Sequence, residues 1–129
     1  MPNVVGLSHL SLSVSDRDAS VRWYRDVLDF HVVVADMDTE EWKRSICMHA
    51  SGVMLSLTQH IILTPFDHRN AGIDHISFAV SKRSELDEWE QWLSERRVKR
   101  SPISETDLGS ALSFRDPDDI PLELYYLPS

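Results

Sequence analysis

Two histidines stand 66 residues apart in matching settings. His9 lies in Ser8-His9-Leu10-Ser11-Leu12-Ser13-Val14, and His75 lies in Asp74-His75-Ile76-Ser77-Phe78-Ala79-Val80. A carboxylate, Glu123, follows in Pro121-Leu122-Glu123-Leu124. Two neutral imidazoles and one carboxylate make a ligand set suited to Fe(II), with positions left for substrate and oxygen. The same set matches the three protein ligands of catalytic zinc. A plainer reading, two ordinary strand histidines and a surface acid, accounts for each residue alone. It does not account for both histidines falling at one position of a repeat.

The elements that must position these groups follow from that repeat. A shift of 66 residues superposes the two histidine segments and also sets Trp23 on Trp89, each inside a helical pattern. A period this long, used twice, reads as a duplicated module. Each module opens with an alternating strand. The first helix is predicted to start at Ser15 or Asp16, both good N-caps, and to run to about Leu28, with Val21, Tyr24 and Leu28 on one face. The second is predicted after Ser84, with Leu86, Trp89 and Leu93 repeating that spacing. Its acids Glu85, Asp87 and Glu88 come early and Arg96 and Arg97 late, as the helix dipole favours. Short β-type segments follow at 30–35, 44–49 and 53–60, then weakly near Val98 and at 111–115 and 122–126. The expectation is an α+β fold of two tandem βαβββ modules forming a mixed sheet, in a single domain over 1–129. Module one spans about 4–62, a linker about 63–70, and module two about 71–128.

Alternation separates two faces. Leu10, Leu12 and Val14 oppose His9, Ser11 and Ser13; Leu55 and Leu57 oppose Ser56, Thr58 and His60; Leu122, Leu124 and Tyr126 oppose Glu123 and Tyr125. The polar set carries Ser, Thr, His and one Glu, the lining of a small wet cavity. On it Ser56 and Thr58 are substrate-binding candidates. His60 is a candidate acid–base group, and Tyr125 could donate a hydrogen bond to a bound anion or pack at the rim. Arg115 could anchor an anionic substrate or pair with Asp116 or Asp118. His68 is expected to be a solvated linker residue, and Cys47 and His49 to be structural.

Composition narrows the classes. Thirteen Lys and Arg against 21 Asp and Glu give a net charge of −8, which disfavours nucleic acid as a partner. Hydrophobic residues at 42% argue against disorder. No apolar stretch is long enough to span a membrane. No basic segment followed by an apolar run opens the chain, so no leader is expected. A single Cys47 suits a reducing, cytoplasmic setting. The four glycines are too scattered to build a phosphate loop.

With these residues in view, the chain resembles the vicinal oxygen chelate superfamily, also called the glyoxalase/bleomycin-resistance/dioxygenase superfamily. The resemblance covers nearly the whole chain. It rests on the two histidine segments, on Trp23-Tyr24-Arg25-Asp26-Val27-Leu28-Asp29-Phe30, on Phe114-Arg115-Asp116-Pro117-Asp118 and on Pro121-Leu122-Glu123-Leu124. It implies paired modules bent into a cup around a divalent metal held by His9, His75 and Glu123. A fourth ligand, found in glyoxalase I members, would fall at Ser56, a poor donor; Gln59 faces the other side by alternation. Extradiol dioxygenases use three ligands and a further histidine, a role open to His60. Their tyrosine before the glutamate ligand has no counterpart, since Ser113 and Phe114 stand there. Fosfomycin-modifying transferases share the three ligands and the size, and of the basic residues they need only Arg115 is evident. Two positions usually held by glycine are Asp29 and Asp119.

The expected function is a metal-dependent enzyme that takes a small molecule through two vicinal oxygens, dioxygenase-like first. A glyoxalase I-like lyase or isomerase, or a thiol transferase of the fosfomycin-resistance type, is the alternative. A metal-free bleomycin-resistance-type binding protein is the alternative of another class. The favoured ion is Fe2+, with Mn2+, Ni2+ or Zn2+ possible, and a homodimer is expected.

Overall fold

The structure is a computed structural model, and it describes residues 1–128. The chain divides between Pro65 and Phe66 into two compact units. In the first, β1 (Leu10–Ser13) leads into α1 (Arg17–Leu28). Asp16 caps that helix, its Oδ1 accepting from the Ala19 backbone N–H at 3.1 Å. β2 (His31–Val34), β3 (Trp42–Met48) and β4 (Met54–His60) follow. The strand order is β1-β4-β3-β2, with β1 parallel to β4 and the other pairs antiparallel. Parallel neighbours need a crossover connection, which α1, β2 and β3 supply. The core holds Leu12, Val14, Tyr24, Val27, Leu28, Phe30, Cys47, Leu55 and Leu57.

The second unit repeats the plan. β5 (Ile76–Val80), α2 (Arg83–Glu95), β6 (Ser104–Glu105), β7 (Ser110–Arg115) and β8 (Pro121–Tyr126) give the order β5-β8-β7-β6, with β5 parallel to β8. Ile76, Leu86, Leu93, Leu112, Phe114, Leu122 and Leu124 form its core. The turn before β7 presses on the end of β8: a Cβ on Gly109, at φ +157°, would stand 2.2 Å from the Tyr126 carbonyl oxygen. Among the described residues no helix is long and apolar enough to cross a membrane.

Several local expectations are corrected. The buried stripe of α1 is Arg17, Ser20, Tyr24, Val27 and Leu28, while Val21 is half-buried. Arg17 can lie inside because Asp18, Asp36 and Asp38 answer its charge. α2 begins at Arg83, two residues earlier than expected, with Lys82 as an N-cap that makes no side-chain bond. No strand forms at Val98. Arg97 turns left-handed at φ 57°, the Val98 N–H closes on the Leu93 carbonyl, and pairing resumes through a bridge from Arg100 to Phe114 before β6. Asp29 and Asp119 adopt φ 63° and 64°, the backbone that explains why glycine would suit both positions. Each aspartate has local partners, Asp29 Oδ1 to His31 Nε2 at 2.6 Å and the Asp119 carbonyl to Arg115 Nη1 at 3.0 Å.

Candidate functional site

On the second unit, a cavity of about 250 Å3 is lined by His68, Asp74, His75, Ser113, Arg115 and Glu123, among others. His75 sits one residue before β5, and its Nδ1–H donates to Asp74 Oδ1 at 2.7 Å. An ionised carboxylate only accepts, so this contact sets the tautomer and leaves Nε2 as a free donor atom. The bond with His75 is the main cause that holds the Asp74 carboxyl below the usual carboxylate range. Glu123 is the register partner of Ser77, whose hydroxyl donates to Glu123 Oε1 at 2.9 Å. His75 Nε2 and Glu123 Oε1 stand 3.9 Å apart. That is too long for a hydrogen bond and within the reach of two donors to one ion.

The first unit carries the same local pattern around His9. Ser8 Oγ lies 2.9 Å from His9 Nδ1, so the residue preceding each histidine engages the same ring nitrogen. Ser11 pairs in register with Ser56, and their hydroxyls are 2.5 Å apart. Ser11–Ser56 is therefore the counterpart of Ser77–Glu123, and Ser56 stands where the second unit has its carboxylate. Gln59 points to the helix side instead, its Oε1 accepting from the Arg17 backbone N–H at 2.9 Å. Among the described residues no three His, Cys, Asp or Glu side chains form a ready-made metal cluster. The pair His75–Glu123 belongs to the second unit and His9 to the first.

The remaining residues fall as follows. Thr58 is buried, and its Oγ1 accepts from Arg44 Nε at 2.8 Å. His60 ends β4, exposed, opposite Trp42 in register. Tyr125 is half-buried opposite Ala111. Arg115 lines the second-unit cavity but bonds the Asp119 carbonyl and lies 3.7 Å from the Asp119 carboxylate, rather than pairing with Asp116 or Asp118. Asp116 instead caps the turn, its Oδ1 accepting from the Asp118 and Ile120 backbone N–H groups. His68, expected as a solvated linker residue, is instead half-buried and lines the cavity beside His75. One residue escaped the sequence reading. Arg44 stands on the same face of its sheet as Ser56 and Thr58, its Cζ 4.0 Å from the centre of the Trp42 ring. The signal was available in β3, where Trp42, Arg44, Ile46 and Met48 alternate against the buried pair Ser45 and Cys47.

Comparison with known proteins agrees with this architecture. A family model described as the Glyoxalase/Bleomycin resistance protein/Dioxygenase superfamily matches residues 6–124. A glyoxylase/bleomycin resistance protein/dioxygenase domain from Frankia sp. EAN1pec superposes with a TM-score of 0.90 at 32% identity, over 98% of this chain and 95% of that one. The fosfomycin resistance protein FosX from Listeria monocytogenes superposes with a TM-score of 0.77 at 20% identity, over 95% of this chain and 91% of that one. Another FosX structure was solved with Mn(II) and 1S,2S-dihydroxypropylphosphonic acid. Metallothiol transferase FosB from Staphylococcus haemolyticus is 27% identical over 95% of this chain and 84% of its own length. The chain belongs to the glyoxalase/bleomycin resistance protein/dioxygenase superfamily, the vicinal oxygen chelate superfamily.

Proposed function

We propose that this protein is a divalent-metal-dependent enzyme whose ion is held by His9, His75 and Glu123, and that it adds a nucleophile, a small thiol first, to a carbon of a substrate bound through two neighbouring oxygens: the thiol loses its proton, the S–C bond forms as that carbon's bond to one of those oxygens breaks, and the oxygen keeps the electron pair and takes up a proton. The observation that carries this reading is the state of the donor atoms. Each imidazole is engaged at Nδ1 by the residue before it, and the carboxylate lies beside the free Nε2 of His75. That is how ligating histidines are usually oriented. The ion, when bound, supplies Lewis-acid stabilisation of charge developing on the substrate oxygens. Mn2+, Fe2+, Ni2+ and Zn2+ all suit this donor set.

The chain's own groups supply the rest. Ser77 fixes the Glu123 carboxylate through its hydroxyl. His60, exposed at the end of β4, is the proposed proton acceptor, and the Tyr125 hydroxyl is a proposed donor to an anionic oxygen. Ser56 lines the substrate space, while Thr58 acts by holding Arg44. The thiol reading draws on the metallothiol transferases similar to this chain over 95% of its length. It displaces the oxygen-using reaction from first place because Ser113, not a tyrosine, stands opposite Glu123. A homodimer belongs to the proposal as well. Edge strand β2 leaves Val32, Val33 and Val34 at 42%, 55% and 40% exposure, a surface that pairing would cover. Light scattering at micromolar concentration should give twice the mass of one chain; a monomer removes this part.

The test loads the purified protein with Mn2+, Ni2+, Zn2+ or Fe2+ and offers fosfomycin with glutathione or cysteine, following thiol consumption. Methylglyoxal with glutathione runs beside it, as do catechols with anaerobically loaded Fe2+ followed by air. Thiol addition to fosfomycin supports the reading. Oxygen uptake with catechols alone, or turnover of methylglyoxal alone, replaces it with the dioxygenase or glyoxalase reading. Silence in every assay with no metal bound moves the protein to the binding class.

A further inference from the structure

Among the described residues three arginines are not exposed: Arg17, Arg44 and Arg83. Arg17 is answered by Asp18, Asp36 and Asp38, and Arg83 by Glu105 and Asp87. Arg44 is different. Among the described residues its guanidinium makes no ion pair; Asp38, the nearby acid, accepts from the Arg44 backbone N–H at 3.2 Å and from Arg17 Nη1 at 2.7 Å. In a chain of net charge −8, a half-buried cation without a carboxylate is an expense the fold has not removed.

The guanidinium is nevertheless held in place. Nε donates to Thr58 Oγ1 at 2.8 Å, Thr58 is itself 2% exposed, and the Trp42 ring lies 4.0 Å from Cζ. A hydroxyl on Nε and an aromatic face against the plane fix the fork and leave the Nη1 and Nη2 hydrogens unspent. Such a fork matches two oxygens of a carboxylate, phosphonate or phosphate, and charge-assisted bidentate bonds are the strong ones. Ser56 and His60 share this face of the sheet with Arg44.

We propose that Arg44 is a substrate-recognition residue, and that the substrate class is a small oxyanion, a carboxylate or phospho-group carried by the molecule that chelates the metal. The inference rests on the reading given under Proposed function, which makes this face of the first unit part of the substrate space. Trp42 and Thr58 are positioning residues: they touch the guanidinium rather than the ligand.

The test uses the full chain labelled with 15N, and inorganic phosphate as the probe. Phosphate titrated into metal-free protein should shift the Arg44 Nε and Trp42 Nε1 signals along one saturable curve, and equal glycerol should not. Arg44→Gln should weaken phosphate binding by about tenfold or more, with Arg44→Lys in between because a point charge replaces the fork. Mn2+ binding, read separately by electron paramagnetic resonance, should be unchanged in Arg44→Gln. A phosphate response spread equally over exposed Arg22 and Arg97, or an unmoved Arg44 signal, overturns the proposal whatever the metal does. Unaltered phosphate affinity in Arg44→Gln does the same. Loss of Mn2+ binding in the unsubstituted chain with the Arg44 response intact would instead defeat the metal reading and leave the oxyanion site standing.

Discussion

The open faces of the two units are built on one register and filled with different chemistry. Ser11 beside Ser56 in the first unit corresponds to Ser77 beside Glu123 in the second. Across the next strand, Ile46 opposite Ser56 corresponds to Ser113 opposite Glu123, and Arg44 opposite Thr58 to Ala111 opposite Tyr125. Glu123 thus has a serine as its counterpart and Arg44 an alanine, while Arg115, the guanidinium of the second unit's cavity, falls at another register position, opposite Pro121. The partners of the two histidines diverge in the same direction. Asp74 compels His75 to keep its proton on Nδ1, whereas Ser8 can either donate or accept. A duplicated scaffold conserves backbone pairing because the core demands it. The side chains that leave the core are free to diverge.

That comparison can be strained first through the two cores, where the expected effect is largest. Leu57→Ala and Leu112→Ala, both fully buried, should each cost about 2–5 kcal/mol in urea denaturation. A loss below about 1 kcal/mol at either would contradict the symmetry of the packing. The division of chemistry comes next. Glu123→Ala should weaken Mn2+ binding by about 100-fold or more, while Ser56→Ala should change it by less than about threefold, in titrations read by electron paramagnetic resonance. Equal effects at the two positions would erase the asymmetry. A smaller effect is expected one shell out. Asp74→Ala should cost about 10–100-fold in Mn2+ affinity through loss of ring orientation, and Ser8→Ala less; the reverse order would refute the tautomer assignment. The helices give the smallest contrast. Asp16→Ala should destabilise by about 1 kcal/mol, because α1 has a capping bond, and Lys82→Asp should stabilise by about 0.5–1 kcal/mol, because α2 has none. Thermal melts would register both signs.

Much of the fold was legible because duplicated strands, a capped first helix and apolar helical stripes leave regular marks. The 66-residue repeat, the Asp16 cap and the apolar stripe Leu86–Leu93 each anticipate an observed element. Where the reading failed, polarity and burial had parted company. In β3 the core side is Ser45 and Cys47, small residues that let α1 lie close, and the open side is Trp42, Arg44, Ile46 and Met48. Alternation there looks inverted, which hid Arg44. Ser20 is buried and Val21 only half-buried because the stripe of α1 is set by Tyr24, Val27 and Leu28. At the site, alternation anticipated that Glu123 leaves the core side of β8, as its bond with Ser77 requires. The His68 contribution was invisible, since nothing in a linker's composition says which cavity it borders.

Cys47 carries a last consequence. It is the one sulfhydryl of the chain, it is fully buried in β3, and burial pushes its thiol pKa up. The sulfur at neutral pH is a protonated thiol walled off from solvent, so it neither competes for a soft metal nor exchanges with added thiols. A colorimetric thiol reagent can reach it only when β3 opens. Its labelling rate under native conditions thus becomes a clock for opening of the first unit, with no engineered probe and no interference from the second.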